Sequence, residues 1–179
     1  MSTATFALVR PHSTDTHPSF ASACDVHLDG VYRYLLYLVR HPQLAEDLTA
    51  DTFERALKSW ASFDPRRGGA SAWLTRIARN AALDHMRADG RRRRREALAA
   101  VPEAVAPTEI PSGFSPDMRR AFERLTGSER EVIALRVILE FDTREAAAIL
   151  DIKPSACTTA LHRAMTKLRE ELTRDANVA

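Results

Sequence analysis

The sequence predicts an all-α protein of two small helical domains joined by a Pro-rich linker. Three observations predict it. Aromatic residues make up 7% of the chain and Gly only 6 of 179 residues, while Ala, Leu, Glu and Arg dominate, a mix that favours helices over sheets. Apolar residues recur at helical spacing on both sides of residues 96–116. That stretch holds four prolines and no Lys or Arg, which argues for an extended spacer rather than an element. With 45% apolar and 28% charged residues the chain can bury a core, and its length suits one domain or two small ones.

In chain order, residues 1–22 are expected to form a disordered tail, rich in Ser, Thr, Pro and His. A first helix is predicted from about Ala23 to Arg40, with Leu28, Val31, Leu35 and Leu38 on one inward stripe. Pro42 stops it and opens a second helix to about Ala61, with Leu44, Leu48, Phe53, Leu57 and Trp60 inward. Phe63 to Gly69 reads as a loop. A third helix starts near Ala70, places Trp73 in the core, and is expected to fade at Gly90 and the five arginines after it. These pieces make a first domain over 23–95. The linker, 96–116, could span about 70 Å if fully extended.

The second domain is predicted over 117–174. Ser115 caps its first helix with Pro116 in the first turn, and Gly127 suits the stop. Ser128 with Glu131 has the spacing of a capping box, as does Asp142 with Glu145. The latter opens a short helix ending near Leu150. Asp151, Ile152 and Lys153 form a three-residue turn, and Pro154 opens a last helix with Cys157, Leu161, Ala164 and Leu168 inward. This is a helix-turn-helix pattern.

Charge is unevenly placed. Ten arginines face two aspartates between residues 65 and 95, whereas the flanking segments are acidic. Such a block suggests a nucleic-acid face beside faces with another task. No run of apolar residues is long enough to span a membrane, and no apolar leader opens the chain. Two cysteines and six scattered histidines offer no metal-ligand spacing. No phosphate-binding Gly loop or catalytic grouping is visible, so neither cofactor, metal nor enzymatic activity is expected. The chain reads as cytoplasmic, with no C-terminal sensory extension after the second domain.

Three stretches carry a family resemblance. Ala45-Glu46-Asp47-Leu48-Thr49-Ala50-Asp51-Thr52-Phe53 is similar to A-E-D-L-x-Q-E-x-F. Trp73-Leu74-Thr75-Arg76-Ile77-Ala78-Arg79-Asn80, with Asp84 and Arg87, is similar to W-L-x-x-I-A-x-N-x-x-x-D-x-x-R. Ser128-Glu129-Arg130-Glu131-Val132, with Leu135-Arg136 and Leu161-His162-Arg163-Ala164, completes the set. In this order and spacing they resemble the extracytoplasmic-function (ECF) sigma factors of bacterial RNA polymerase, with a region 2-like bundle and a region 4-like helix-turn-helix. Ala50 stands where the family often has Gln, Asp151 where Gly is usual, and Ala160 and Met165 where Arg is common.

The resemblance implies roles for particular residues. Glu46, Asp47, Asp51 and Glu54, bordered by Arg55 and Lys58, would dock on the clamp helices of the polymerase's largest subunit. Phe63, Asp64, Arg66, Arg67, Arg76, Arg79, Asn80, Asp84 and Arg87 would engage the −10 element, the loop pocketing a flipped base. Arg91, Arg92, Arg93, Arg94, Arg95 and Lys153 are assigned to phosphates. Ser155, Thr158, Thr159, His162 and Arg163 face away from the last helix's apolar stripe and would read the −35 element. The partners implied are core RNA polymerase (clamp helices and flap region), promoter DNA and an anti-sigma factor. Localisation would be cytoplasmic, with nucleoid association in holoenzyme, and no membrane partner. Two other classes fit parts of the pattern: a helix-turn-helix regulator acting without polymerase, and a helical adaptor lacking DNA binding.

Overall fold

The computed structural model describes residues 19–96 and 115–176. The predicted tail up to residue 18 and most of the predicted linker lie outside them. Seven α-helices are present among the described residues, and no strand. The first group is α1 (Phe20–Val39), α2 (Pro42–Ser59) and α3 (Ala70–Glu96). The second is α4 (Pro116–Glu123), α5 (Gly127–Ile133), α6 (Thr143–Leu150) and α7 (Pro154–Ala176).

The first helix begins earlier than its periodicity indicates, so residues 20–22 belong to it rather than to a tail. Ser19 is the N-cap, its hydroxyl accepting from the Ser22 amide at 3.1 Å. Phe20 anchors this turn by packing edge-on against Phe53 and Trp60. Leu28 is not inward; it is 52% exposed. At 100° per residue, His27 lies nearer the stripe through Val31, Leu35 and Leu38 than Leu28 does. Burial holds the His27 pKa below its ordinary value. Leu57 is likewise outward, because α2 turns the small Ala56 into the core and places its neighbour in solvent.

α3 does not fade at Gly90. It continues through the arginines to Glu96. A mid-helix glycine costs about 1 kcal/mol relative to alanine. Arginine is a good helix former, and the Arg92–Asp89 pair at 2.6 Å bridges the glycine one turn apart.

In the second group, Ser115 and Pro116 open α4 as expected, the Ser115 hydroxyl accepting from the Met118 amide. The next boundary differs. Thr126, not Ser128, is the N-cap of α5, and Gly127 begins the helix instead of stopping the previous one. The capping box pairs Thr126 with Glu129: the Thr126 amide donates to Glu129 Oε2 at 2.7 Å and the Glu129 amide to Thr126 Oγ1 at 3.3 Å. Two S/T-x-x-E registers overlap here; the upstream one forms the box, and Glu131 instead makes tertiary contacts. Thr126→Ala is therefore expected to cost about 1 kcal/mol in denaturant unfolding, and Ser128→Ala close to nothing.

α5 passes into a π-helical turn, Ala134–Ile138, where the Leu139 amide donates to the Ala134 carbonyl at 2.9 Å. Arg136 donates to the Phe141 carbonyl and closes the turn. Asp142 and Glu145 form the capping box of α6. Asp151 follows in the left-handed region, φ 57° and ψ 46°, where the family's glycine would stand. Asp reaches this conformation more readily than most residues.

The two groups do not sit apart. Leu35, Leu74 and Ala78 of the first share one continuous core with Phe122, Leu135 and Ile149 of the second. α1 packs on α5, and α3 on α6. Tyr37 and Phe122 meet edge-on across this junction, ring centres 5.9 Å apart.

Candidate functional site

Three surfaces carry the residues singled out above. On α2, Glu46, Asp47 and Glu54 are exposed and Asp51 is half-buried. Asp47, Asp51 and Glu54 share a face, with Lys58, because positions 47, 51, 54 and 58 recur at helical spacing; Glu46 lies about 100° round the helix from Asp47. Part of this charge is balanced locally: Arg55 pairs with Asp51 at 2.7 Å and Lys58 with Glu54 at 2.5 Å. Among the described residues Asp47 meets the Gln43 amide, at 3.5 Å. Arg55 also reaches across to Asp84 of α3 at 3.5 Å, linking the acidic face to the basic helix.

The loop between α2 and α3 is more ordered than its composition suggests. Asp64 caps a short 3-10 turn over Pro65–Arg67, accepting from the Arg66 amide at 3.0 Å. Gly68 has φ 150° and ψ 164°, a region open essentially only to glycine. Phe63 is not available to a base from this position: it is 5% exposed, stacked on Trp60 at 4.9 Å and tilted against Trp73 at 5.4 Å. The ring staples the loop to the bundle, an outcome its place in a turn sequence concealed. Trp73 is half-buried in the same cluster, consistent with its assignment to the core.

On α3, Arg76, Asn80, Asp84 and Arg87 are exposed, and Arg87 approaches Asp84 at 3.5 Å. Arg66, Arg91, Arg92, Arg94 and Arg95 are exposed as well. The side chains of Arg67 and Arg93 lie outside what is described. Arg79 departs from the group. Its side chain is 18% exposed and its Nε donates to Glu131 Oε1 of α5 at 2.8 Å. Tyr34 of α1, with no exposure, donates its hydroxyl to the same oxygen at 2.7 Å. Burial first, and then the Glu131 carboxylate, push the Tyr34 pKa well above its ordinary value, so it is a donor at any physiological pH.

The third surface is the N-terminal half of α7. Ser155, Thr158, Thr159, His162 and Arg163 are all exposed, as is Lys153 in the turn before it. Cys157, Ala164 and Leu168 are buried and Leu161 half-buried, as the stripe requires. Thr158 and Thr159 donate back to the carbonyls of Pro154 and Ser155 at 3.2 and 3.0 Å. Their hydroxyl oxygens are thereby left to face outward as acceptors.

A cleft of about 430 Å³ separates the two groups. One wall is the loop and the start of α3, with Asp64, Gly68, Trp73 and Arg76; the other is α6, with Glu145, Ala148 and Ile149. Neither Glu131 nor Glu145 was legible as part of a site. Both read as helix caps, and Glu145 does cap α6. Among the described residues no three His, Cys, Asp or Glu side chains gather as a metal site, and no helix is long and apolar enough to cross a membrane.

The fold and these surfaces define a helical protein with an acidic helix, a basic helix and a terminal helix-turn-helix. Comparison with known proteins gives the family. Sigma-70 region 2 matches residues 25–92, and Sigma-70, region 4 matches residues 116–168. The RNA polymerase sigma factor CarQ of Myxococcus xanthus is 32% identical over 151 residues, covering 82% of this chain and 84% of CarQ. The ECF RNA polymerase sigma factor BldN of Streptomyces coelicolor is 31% identical over 163 residues, covering 88% of this chain; the chain spans 62% of BldN's length. The sigma factor RpoE of Bartonella quintana, solved with the anti-sigma factor NepR, superposes with a TM-score of 0.73 at 27% identity, covering 86% of this chain and 96% of that one. The chain belongs to the ECF sigma factor family.

Proposed function

We propose that this protein binds core RNA polymerase, recognises the −10 and −35 elements of promoters and assists duplex melting at initiation. Family membership supports the reading, and so does the placement of three solvent-facing surfaces in family order: the acidic face of α2, the basic face of α3 and the outer face of α7. The last carries it furthest. A helix preceded by a left-handed turn residue and a short partner helix presents hydroxyls, an imidazole and a guanidinium on one exposed face. That is the chemistry of major-groove readout.

In this reading Glu46, Asp47, Asp51 and Glu54 meet the clamp helices of the largest subunit, and the helix-turn-helix group meets the flap region. The loop after α2 and the exposed polar side chains of α3 meet the −10 strand, Phe63 holding the loop rather than touching a base. Arg91, Arg92, Arg94 and Arg95 continue the basic face along the DNA, where they contact phosphates. An anti-sigma factor is a further partner, by likeness to RpoE, which was solved with one. The division into domains at 23–95 and 117–174, the action as a non-enzymatic factor and the cytoplasmic location belong to the same proposal.

Transcription with core polymerase on genomic DNA tests it: promoter-specific initiation that needs this protein is the expected result. Binding to duplex sites without any dependence on polymerase would instead select the helix-turn-helix regulator. Within holoenzyme, Arg163→Ala is expected to cost about 1–3 kcal/mol and relax preference at one −35 position. Lys153→Ala is expected to weaken all promoters alike, since a phosphate contact carries no sequence. Footprinting across a −35 substitution series separates the two.

A further inference from the structure

Two observations at the junction of the helical groups concern the −10 surface. The first is the convergence of Tyr34, Arg79 and Glu131. A carboxylate from α5 receives a hydroxyl from α1 and a guanidinium from α3 on one oxygen, at 2.7 and 2.8 Å, with all three side chains buried or nearly so. These residues are 97 and 52 positions from Glu131 in sequence, so nothing local holds them together. The second is the cleft. α6 stands opposite Asp64, Gly68 and Arg76, and it adds the Glu145 carboxylate to a space a DNA strand would need.

We propose that Glu131 is a latch residue that withdraws Arg79 from promoter DNA and holds the second helical group across the −10 loop. The inference rests on the sigma-factor reading, since it takes Arg79 and the loop to be DNA-binding. Arg79 is turned inward, its side chain 18% exposed and its Nε engaged by Glu131. While Glu131 holds it, the guanidinium points into the junction, and a phosphate or base edge would have to displace a buried, doubly bonded carboxylate. Once the groups separate, both charges regain water, and Arg79 joins Arg76 and Asn80 on the open face of α3.

Around this centre the junction holds Arg40, the residue that ends α1, beside Glu123 of α4, at 3.2 Å, with Arg130 of α5 close to Arg40. Neither contact includes Arg79 or Glu131. Glu131 is therefore the point where loss of one charge leaves a buried cation uncompensated, a state relieved most readily by opening.

The test uses the full chain. Glu131→Gln keeps the side-chain shape and an acceptor for Tyr34 but removes the charge facing Arg79. Small-angle scattering without DNA or polymerase should show its radius of gyration rising by about 3 Å or more, as a compact chain becomes two bodies. Binding of a −10 non-template oligonucleotide to the full-length variant without polymerase should require less of the protein than wild type does, by about fivefold or more, because apparent affinity scales with the open fraction. Tyr34→Phe, which removes one hydroxyl, should open the chain to a lesser degree and serves if Glu131→Gln fails to fold. An unchanged radius in folded variants overturns the latch, whatever the DNA result. Opening without gain, in a variant whose holoenzyme still initiates at promoters, overturns the claim that the latch withholds Arg79. Failure of the wild-type chain to form any active holoenzyme overturns the functional reading beneath it, and that result is distinguishable because the scattering needs no polymerase.

Discussion

Replacing Asp47 and Asp51 together by Arg is expected to abolish recruitment to core RNA polymerase while leaving the protein folded. Asp47 is exposed and, among the described residues, its contact is a long 3.5 Å one with Gln43, so its reversal disturbs little there. Asp51 gives up a partly exposed pair with Arg55, an interaction of a few tenths of a kcal/mol at such a site. Stability should move by no more than about 1 kcal/mol for the two changes. At an interface built to accept carboxylates the change is far larger. Two like charges brought into contact cost several kcal/mol, and each 1.4 kcal/mol is a factor of ten, so binding should fall by about 100-fold or more. A pull-down with core polymerase, beside a thermal melt of the variant, checks both halves. Normal recruitment of the folded variant would remove the acidic face of α2 from the docking surface.

Phe122→Ala is expected to be the most destabilising single truncation. The ring is 2% exposed in α4 and packs edge-on against Tyr37 of α1, so it fills the core of one helical group and the junction with the other. Truncating a buried Phe costs about 3–5 kcal/mol, from lost burial and from the cavity left behind. For a chain of this size that corresponds to a fall in melting temperature of about 6–20 °C. Calorimetry should also show which groups fail. If α1–α3 and α4–α7 unfold together in the wild type, the variant should shift that transition as a whole. A transition confined to the second group would mean that the shared core contributes little to cooperativity. Exposed Leu28 and Leu57, both apolar and both once candidates for the same core, should tolerate alanine within about 0.5 kcal/mol.

Much of this architecture is legible in the residues themselves. Helical spacing places Val31, Leu35 and Leu38 on one face, and all three are buried. Pro42, Pro116 and Pro154 each open a helix where expected, because proline loses nothing in a first turn. Asp142 with Glu145 caps α6, and Ser155, Thr158, Thr159, His162 and Arg163 face solvent on α7, because both depend only on neighbours within one or two turns. The acidic and basic faces follow from the same local rule, and the family follows from motif order.

Tertiary packing decided the remainder. Thr126 and not Ser128 caps α5, and Glu131, the box partner that Ser128 would need, is bonded to residues far away in the chain. Phe63 lies in a loop by every turn signal, yet an aromatic cluster drawn from α1, α2 and α3 buries it. Leu28 and Leu57 sit at the edges of apolar stripes, where a shift of tens of degrees in helix rotation sets inside from outside. Arg79 reads as one cation in a basic block, and only the approach of α5 to α3 turns it inward onto a buried carboxylate. Periodicity and capping are encoded by contacts three or four residues apart. Which faces then meet depends on how whole helices fill shared volume, and no local spacing records that.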